Sequence, residues 1–268
     1  MVVSLEKIVY SLNCLANFFE LRDTSDLSEF SVNKYFEGNV ADICVLLGGN
    51  NIRGVDYLAS VIENNLATYS AIVGGIGRAT SGLISSILSD CEFNYLGFSD
   101  DINKLSEAEI LNIILKSKYD LIPSFLEINS KNAGENVSYL FDLLSSKNIE
   151  VKNLILIQDS PFQLRLNATF KHYDGKIKIL NFAPYKSHFS FDFHSCSIIN
   201  IGSNGSPWSV KELASLYIGE FERVYDGIAG YGPKGLNYIA HIDVPENVVN
   251  AFHNVKSWIS TEVVVENI

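Results

Sequence analysis

Four short stretches hold the residues of this 268-residue chain best suited to chemistry: GGNNIR (48 to 53), GGIGRAT (74 to 80), NSKNAGEN (129 to 136) and QDSPFQLR (158 to 165). Each follows an apolar run and leads into a helical pattern. Glycines there let a backbone approach a ligand closely and form a nest of N–H donors at a helix start. Neither familiar phosphate loop is complete. Residues 75 to 80 read G-x-G-x-x-T, without the third glycine of the dinucleotide fingerprint, and Leu83 stands where a P-loop needs its lysine. A tight turn after a buried strand is the competing reading of Gly48, Gly49, Gly74, Gly75 and Gly77.

The chain has only five arginines, and three of them, Arg53, Arg78 and Arg165, fall in the loops or first turns after strands. Converging at one sheet edge, they would suit a carboxylate or phosphate held in a bidentate fork. The alternative is three solvated arginines near helix starts. Asp159, Glu135 and Glu220 are the acidic candidates, for ribose hydroxyls or for general base work, although carboxylates near helix N-termini are also ordinary caps. Asn50, Asn132, Asn136 and Gln163 would hydrogen-bond a polar ligand or hold the loops. The five histidines show no HxxxH or HExxH spacing, so no metal site is expected; there is no GxSxG elbow, which leaves only a Cys or Ser nucleophile paired at a distance.

Parallel β/α units must position these loops. ADICVLLGG (41 to 49) reads as a buried strand, and RGVDYLASVIENNLA (53 to 67) as a helix with Val55, Leu58, Ala59, Ile62 and Leu66 on one face. Strands at 68 to 75, 123 to 128, 153 to 159 and 176 to 182 alternate with helices at 80 to 89, 132 to 148 and 161 to 173. Another helix begins at Ser106 and Glu109, which have capping-box spacing. This alternation implies a parallel sheet covered on both faces. FSFDFHSCSI (189 to 198) alternates as a half-buried strand or hairpin arm, while 209 to 225 and 244 to 260 read as helices. The expected organisation is an N-terminal helical segment (1 to 40), an α/β domain (41 to 204) and a C-terminal helical segment (205 to 268) packing with the N-terminal helices.

Composition narrows the classes. The formal charge of −11 argues against a nucleic-acid partner, because phosphate binding wants clustered Lys and Arg. No apolar run reaches membrane-spanning length, and the first residues lack the basic n-region and cleavage site of a signal peptide. Four widely spaced cysteines, Cys14, Cys44, Cys91 and Cys196, fit a reducing, cytoplasmic setting.

GGIGRAT, NAGENV, QDSPFQLRLNATF, the GEF around Glu220 and GYGPKGLNYIAHIDVPENV (230 to 248) together resemble the YdcF-like family, from about Ala41 to Ser260. The resemblance implies a cytoplasmic α/β protein: a Rossmann-like three-layer sandwich with a mainly parallel sheet and an additional helical part built from both termini. It also implies binding of S-adenosyl-L-methionine, with no established reaction. Carried over by position, its loop residues are Gly74, Gly75, Gly77 and Thr80; Asn132, Gly134, Glu135 and Asn136; Gln158, Asp159, Gln163, Arg165 and Thr169; and Glu220. The chain has no histidine in QDSPFQLR, where many relatives carry one.

The leading expectation is a protein binding a nucleoside-containing small molecule, S-adenosyl-L-methionine first, through the glycine loops, Asp159 and Arg165, with Arg165→Ala weakening binding and sparing the fold. An alternative is a hydrolase or transferase for a phosphate- or carboxylate-bearing metabolite, with Arg78 and Arg165 clamping the anion and Glu135 or Asp159 as base. A third reading is an interaction protein whose tail TEVVVENI (261 to 268) pairs as a strand.

Overall fold

The computed structural model describes residues 4–90, 102–202 and 206–265, so Cys91 lies outside the described residues. These residues divide into a sheet unit, 22–159 with 169–184, and a helical unit, 4–21 with 160–168 and the described residues from 185 onward.

The sheet unit opens with a short helix, α1 (Glu29–Tyr35), capped by Ser28. Strand β1 (Ala41–Leu47) leads into α2 (Gly54–Glu63), and β2 (Ala67–Val73) into α3 (Thr80–Ser89). Helix α4 (Glu107–Tyr119) follows, with both reciprocal hydrogen bonds of the Ser106/Glu109 capping box in place. Then come β3 (Phe125–Glu127), α5 (Ala133–Ser146), β4 (Asn153–Ile157), α6 (Gln163–Tyr173) and β5 (Lys178–Asn181). The five strands pair in parallel in the order β3-β2-β1-β4-β5, and a single antiparallel bridge joins Arg22 to Phe182.

The central strands β1 and β4 are almost continuously apolar and buried, because both faces of the sheet are covered there. Cys44, Leu46, Ile72, Ile155, Ile157 and Leu180 join one cluster with Val55 and Leu58 of α2, Leu83 and Ile87 of α3, and Ile110, Leu111 and Ile114 of α4. The alternating residues Ile43, Val45, Leu154 and Leu156 are equally buried on the opposite face. Among the helix residues of that layer, Phe141 of α5 packs on Phe170 and Tyr173 of α6. This is the expected Rossmann-like three-layer sandwich.

In the helical unit, a helix over Leu5–Phe19 (α7) is capped by Ser4 and buries Ile8, Leu12, Leu15 and Phe19 every third or fourth residue. It shares a core with Leu213, Tyr217 and Phe221 of α8 (Val210–Val224) and with Val248, Phe252 and Val255 of α9 (Glu246–Val265). Termini that meet in this way account for the expected additional helical part. The stretch 189 to 198, expected as one strand or hairpin arm, turns at 193–196, so that β6 (Phe189–Asp192) and β7 (Ser197–Asn200) pair antiparallel as a hairpin. Just past α7, the buried Glu20 accepts hydrogen bonds from Tyr217 Oη (2.6 Å), Ser187 N–H (2.6 Å) and Ser187 Oγ (2.8 Å).

Two expectations need correction. The boundaries do not fall at 40 and 204: Leu27, Val32 and Phe36 pack into the sheet core, while Phe189 packs into the helical one. The stretch 261 to 265 is the end of α9 rather than a strand, and 266 to 268 lie outside the described residues.

Candidate functional site

Strand order decides which loops meet. In β3-β2-β1-β4-β5 the topology reverses between β1 and β4, and the crevice beyond the carboxyl ends of those strands is the usual ligand position in such sheets. GGNNIR leaves β1 there, and Gln158 and Asp159 leave β4. Gln158 Nε2 donates to the Gly48 carbonyl (3.2 Å), and its Oε1 accepts the Asp159 N–H (2.5 Å).

Gly48 still belongs to the ladder, donating its N–H to the Val73 carbonyl at 2.7 Å. Beyond it the pairing stops. Among the described residues, the N–H groups of Gly49, Asn50, Asn51 and Ile52 find no acceptor. Asn51 is buried and its Oδ1 accepts the Arg53 N–H (2.9 Å), yet its Nδ2 is a buried donor with no partner, and the buried Asn50 Oδ1 is also unpartnered. Unmade hydrogen bonds of this kind cost about 1–3 kcal/mol each. These residues also lead directly into the N-terminal, positive end of α2. Ser4, Ser28, Ser106, Asn132 and Ser209 cap their helices with side chains, whereas α2 and α3, which start at the two glycine loops, have no side-chain cap.

The second glycine loop encloses a carboxyl group. Gly77 N–H donates to Thr80 Oγ1 (2.8 Å), and the Thr80 hydroxyl donates to Glu107 Oε1 (2.9 Å). The first turn of α4 is tied to the same loop: Glu107 N–H donates to the Gly75 carbonyl (3.1 Å) and Ala108 N–H to that of Gly74 (2.8 Å). Glu107 is only 6% exposed. Its Oε2 lies where a Cβ on Gly48 would fall, so glycine is required at 48 by close approach. Burial pushes the Glu107 carboxyl above the ordinary glutamate range, while the Thr80 hydrogen bond pulls the other way. Gly75 is enclosed by backbone, with its N–H on Ser130 Oγ (3.0 Å) and its missing Cβ aimed at the Ser130 and Ile128 carbonyls. Ser130 is itself held by the buried Glu127, which accepts its hydroxyl at 2.6 Å.

The structure thus brings Gly48, Gly49, Asn50, Gly74, Gly75, Gly77, Thr80, Gln158 and Asp159 to one edge of the sheet unit. Asn132 and Glu135 lie at the start of α5 and act as caps. Asn132 Oδ1 accepts the Glu135 N–H (3.0 Å), and the Glu135 carboxylate accepts from Asn132 Nδ2 (2.7 Å) and the Lys131 N–H (2.8 Å). Gly134 and the buried Asn136 follow in the same turn. The arginines do not act as one group. Arg53 lies 3.8 Å from Asp56 and 3.9 Å from Asp90, while Arg78 is exposed and forms no hydrogen bond or ion pair among the described residues.

Gln163, Arg165 and Glu220 belong to the helical unit, and Thr169 lies on the sheet-unit half of α6. There Arg165 Nε is 2.6 Å from Glu220 Oε2, and Arg223 Nη1 is 3.1 Å from Glu220 Oε1. Glu220, 1% exposed, is therefore an ion-pair partner rather than an open base. The helical unit also has an open pocket of about 660 Å³ over Phe221, Arg223, Tyr225, Ile228 and Phe252. Its charges are paired, Arg223 with Glu220 and Glu222 with Lys256 at 2.5 Å, which favours the sheet edge as the site.

Asn51 and Glu107 are the site residues that sequence reasoning missed. The one local signal for Glu107 is a second acid in a first turn where the capping box uses only Glu109. No model of a known protein family matches the chain.

Proposed function

We propose that this protein binds a small molecule through an anionic group seated on the loop after β1, with a nucleoside-containing ligand, S-adenosyl-L-methionine first, as the candidate. The observation that carries this reading is the run of four N–H groups without acceptors beside the unpaired Asn51 amide. Such a set of donors suits a carboxylate or phosphate oxygen. The α-carboxylate of S-adenosyl-L-methionine would supply one, and Asp159, next to Gly49, would take the ribose hydroxyls. The resemblance to the YdcF-like family supports the same ligand.

The test is calorimetric titration of the protein with S-adenosyl-L-methionine, using Asn51→Asp as the site variant. That substitution keeps the oxygen that accepts the Arg53 N–H and replaces the unpaired donor with charge. Saturable heat in the wild type, weakened about tenfold or more in the variant (about 1.4 kcal/mol), is the expected result. No heat with the wild type removes this ligand.

Glu107 favours a second reading, a hydrolase or transferase for a phosphate- or carboxylate-bearing metabolite. A buried carboxyl with a raised pKa beside an anion seat has the chemistry of a general acid or base. Turnover of a phosphorylated metabolite that disappears in Glu107→Gln would favour it; no turnover above buffer across a metabolite panel would count against it.

A further inference from the structure

We propose that Glu107 is a protonated arm of this anion site, donating a hydrogen bond from Oε2 to the oxyanion held by the amides of Gly49, Asn50, Asn51 and Ile52, so that anion binding is linked to protonation of Glu107 and takes up a proton wherever the empty site holds Glu107 ionised. This rests on the anion reading of the loop after β1 and extends it to Glu107, on a different helix.

The geometry has three parts. Oε2 lies against Gly48, the residue immediately before the first open N–H. Oε1 is pinned by the Thr80 hydroxyl, which Gly77 orients in turn, so the carboxyl cannot rotate freely. Among the described residues, Oε2 has no hydrogen-bond partner of its own. A carboxyl so placed can meet an anion in only one favourable state, because an ionised oxygen would repel it and a protonated one is a strong donor.

The charges around it point the same way. The loop after β1 offers Gly48, and Asp159 from the loop after β4 lies across Gly49. The loop after β2 offers Gly74, Gly75 and Gly77, with Arg78 exposed to solvent. Helix α3 presents Thr80, and α4 itself carries Glu109, whose carboxylate is bound to Ser106. From the end of β3 come the buried Glu127, hydrogen-bonded to Ser130, and the exposed Lys131. The buried neighbours are therefore neutral or acidic; Arg78 and Lys131 are in water, where screening weakens them, and Arg53, at the end of the loop after β1, lies beside Asp56 and Asp90. Burial accordingly favours the neutral carboxyl.

Sulfate is a suitable probe because it stays dianionic across the useful pH range. The full chain, labelled with nitrogen-15, is titrated with sodium sulfate at pH 5 and pH 8.5, following the backbone amides of residues 49 to 52. The expected result is binding roughly tenfold or more weaker at the higher pH, as linkage to one proton requires. Glu107→Gln, neutral at both pH values, should bind with nearly equal strength at each. Shifts of these amides with equal affinity at both pH values in the wild type, or an unchanged pH dependence in Glu107→Gln, would overturn the role of Glu107 and leave the anion seat standing. Absence of shifts at either pH would overturn the anion seat and this proposal with it. If Glu107→Gln does not fold, wild-type calorimetry in two buffers of different ionisation enthalpy still decides. Proton uptake with sulfate through the titration range of Glu107 supports the proposal, and none refutes it.

Discussion

Thr80 Oγ1 stands 2.9 Å from Glu107 Oε1, and this single hydroxyl joins the start of α3 to the start of α4 beneath the two glycine loops. It accepts a hydrogen bond from the Gly77 N–H and donates one to the Glu107 carboxyl, so it orders a loop and a buried acid together. Thr80→Val, which keeps the shape and removes the hydroxyl, should cost about 1–3 kcal/mol in urea unfolding, because it leaves the Gly77 N–H and Glu107 Oε1 without their partner. It should also move the Glu107 midpoint, read from side-chain carbon-13 shifts, further up. A midpoint that stays in place would show that Thr80 does not orient this carboxyl.

The pH dependence that Glu107 imposes on stability has a definite sign. Its folded pKa is raised by burial, so its contribution is fully present below the unfolded value, near 4.5, and is lost as pH rises through the folded value. Glu107→Gln should therefore gain stability relative to wild type as pH rises above about 5. Parallel unfolding curves for the two proteins from pH 4 to 8 would contradict this.

Gly75 is enclosed by the backbone of the next loop, which no side-chain rotation can relieve. Gly75→Ala should destabilise by about 1–3 kcal/mol or more, as overpacking does. Gly38, with φ near +89° and open space around it, is a control in which only backbone strain is introduced. Unfolding midpoints of the two alanine variants in urea provide the comparison, with Gly75→Ala expected to lose more.

Arg165 was expected to contact ligand and to be dispensable to the fold. Its Nε lies 2.6 Å from Glu220, a carboxylate 1% exposed, so Arg165→Ala leaves a buried charge that still meets Arg223 at 3.1 Å in the helical unit. Breaking one side of a buried pair typically costs about 3–5 kcal/mol, and Arg223 should keep the loss near the lower end. Glu220→Gln should be milder, since it removes the buried charge instead of stranding it. Chemical denaturation of both variants tests the order, and a fully stable Arg165→Ala would refute it.

His241 is held by Asp226 Oδ2 at Nδ1 (2.6 Å) and by Asp243 Oδ1 at Nε2 (3.1 Å), an arrangement that the doubly protonated ring satisfies best. The hydrogen bond with Asp226, then that with Asp243, raises its pKa above the ordinary histidine value. The stabilisation this gives the loop is fully present below about pH 6.5 and is lost as pH rises through the folded pKa. Proton NMR of the imidazole should show a midpoint above 6.5 in the wild type and a fall in Asp226→Asn; identical midpoints would exclude the pairing in solution.

The elements were legible in the sequence because their signals are local. The buried strand 41 to 47 shows as an apolar run, α4 as a capping box followed by period 3.6, and β6 as alternating aromatics, each written within a few residues of chain. The loops after β1, β2 and β4 were legible for the same reason, as glycine and polar punctuation after apolar runs. Which of them share an edge is set by non-local pairing in the order β3-β2-β1-β4-β5, and no spacing records that order. Glu107 and Glu109 are two residues apart in one helix turn, and only tertiary packing puts the first beneath Gly48 while the second caps its own helix. Glu135 and Arg165 looked equally available in the sequence. Local capping took the one, and a partner 55 residues away took the other. Local sequence determines helices, strands and turns through short-range sterics and hydrogen bonds, whereas the fate of a charged side chain depends on burial, which is decided when distant segments meet.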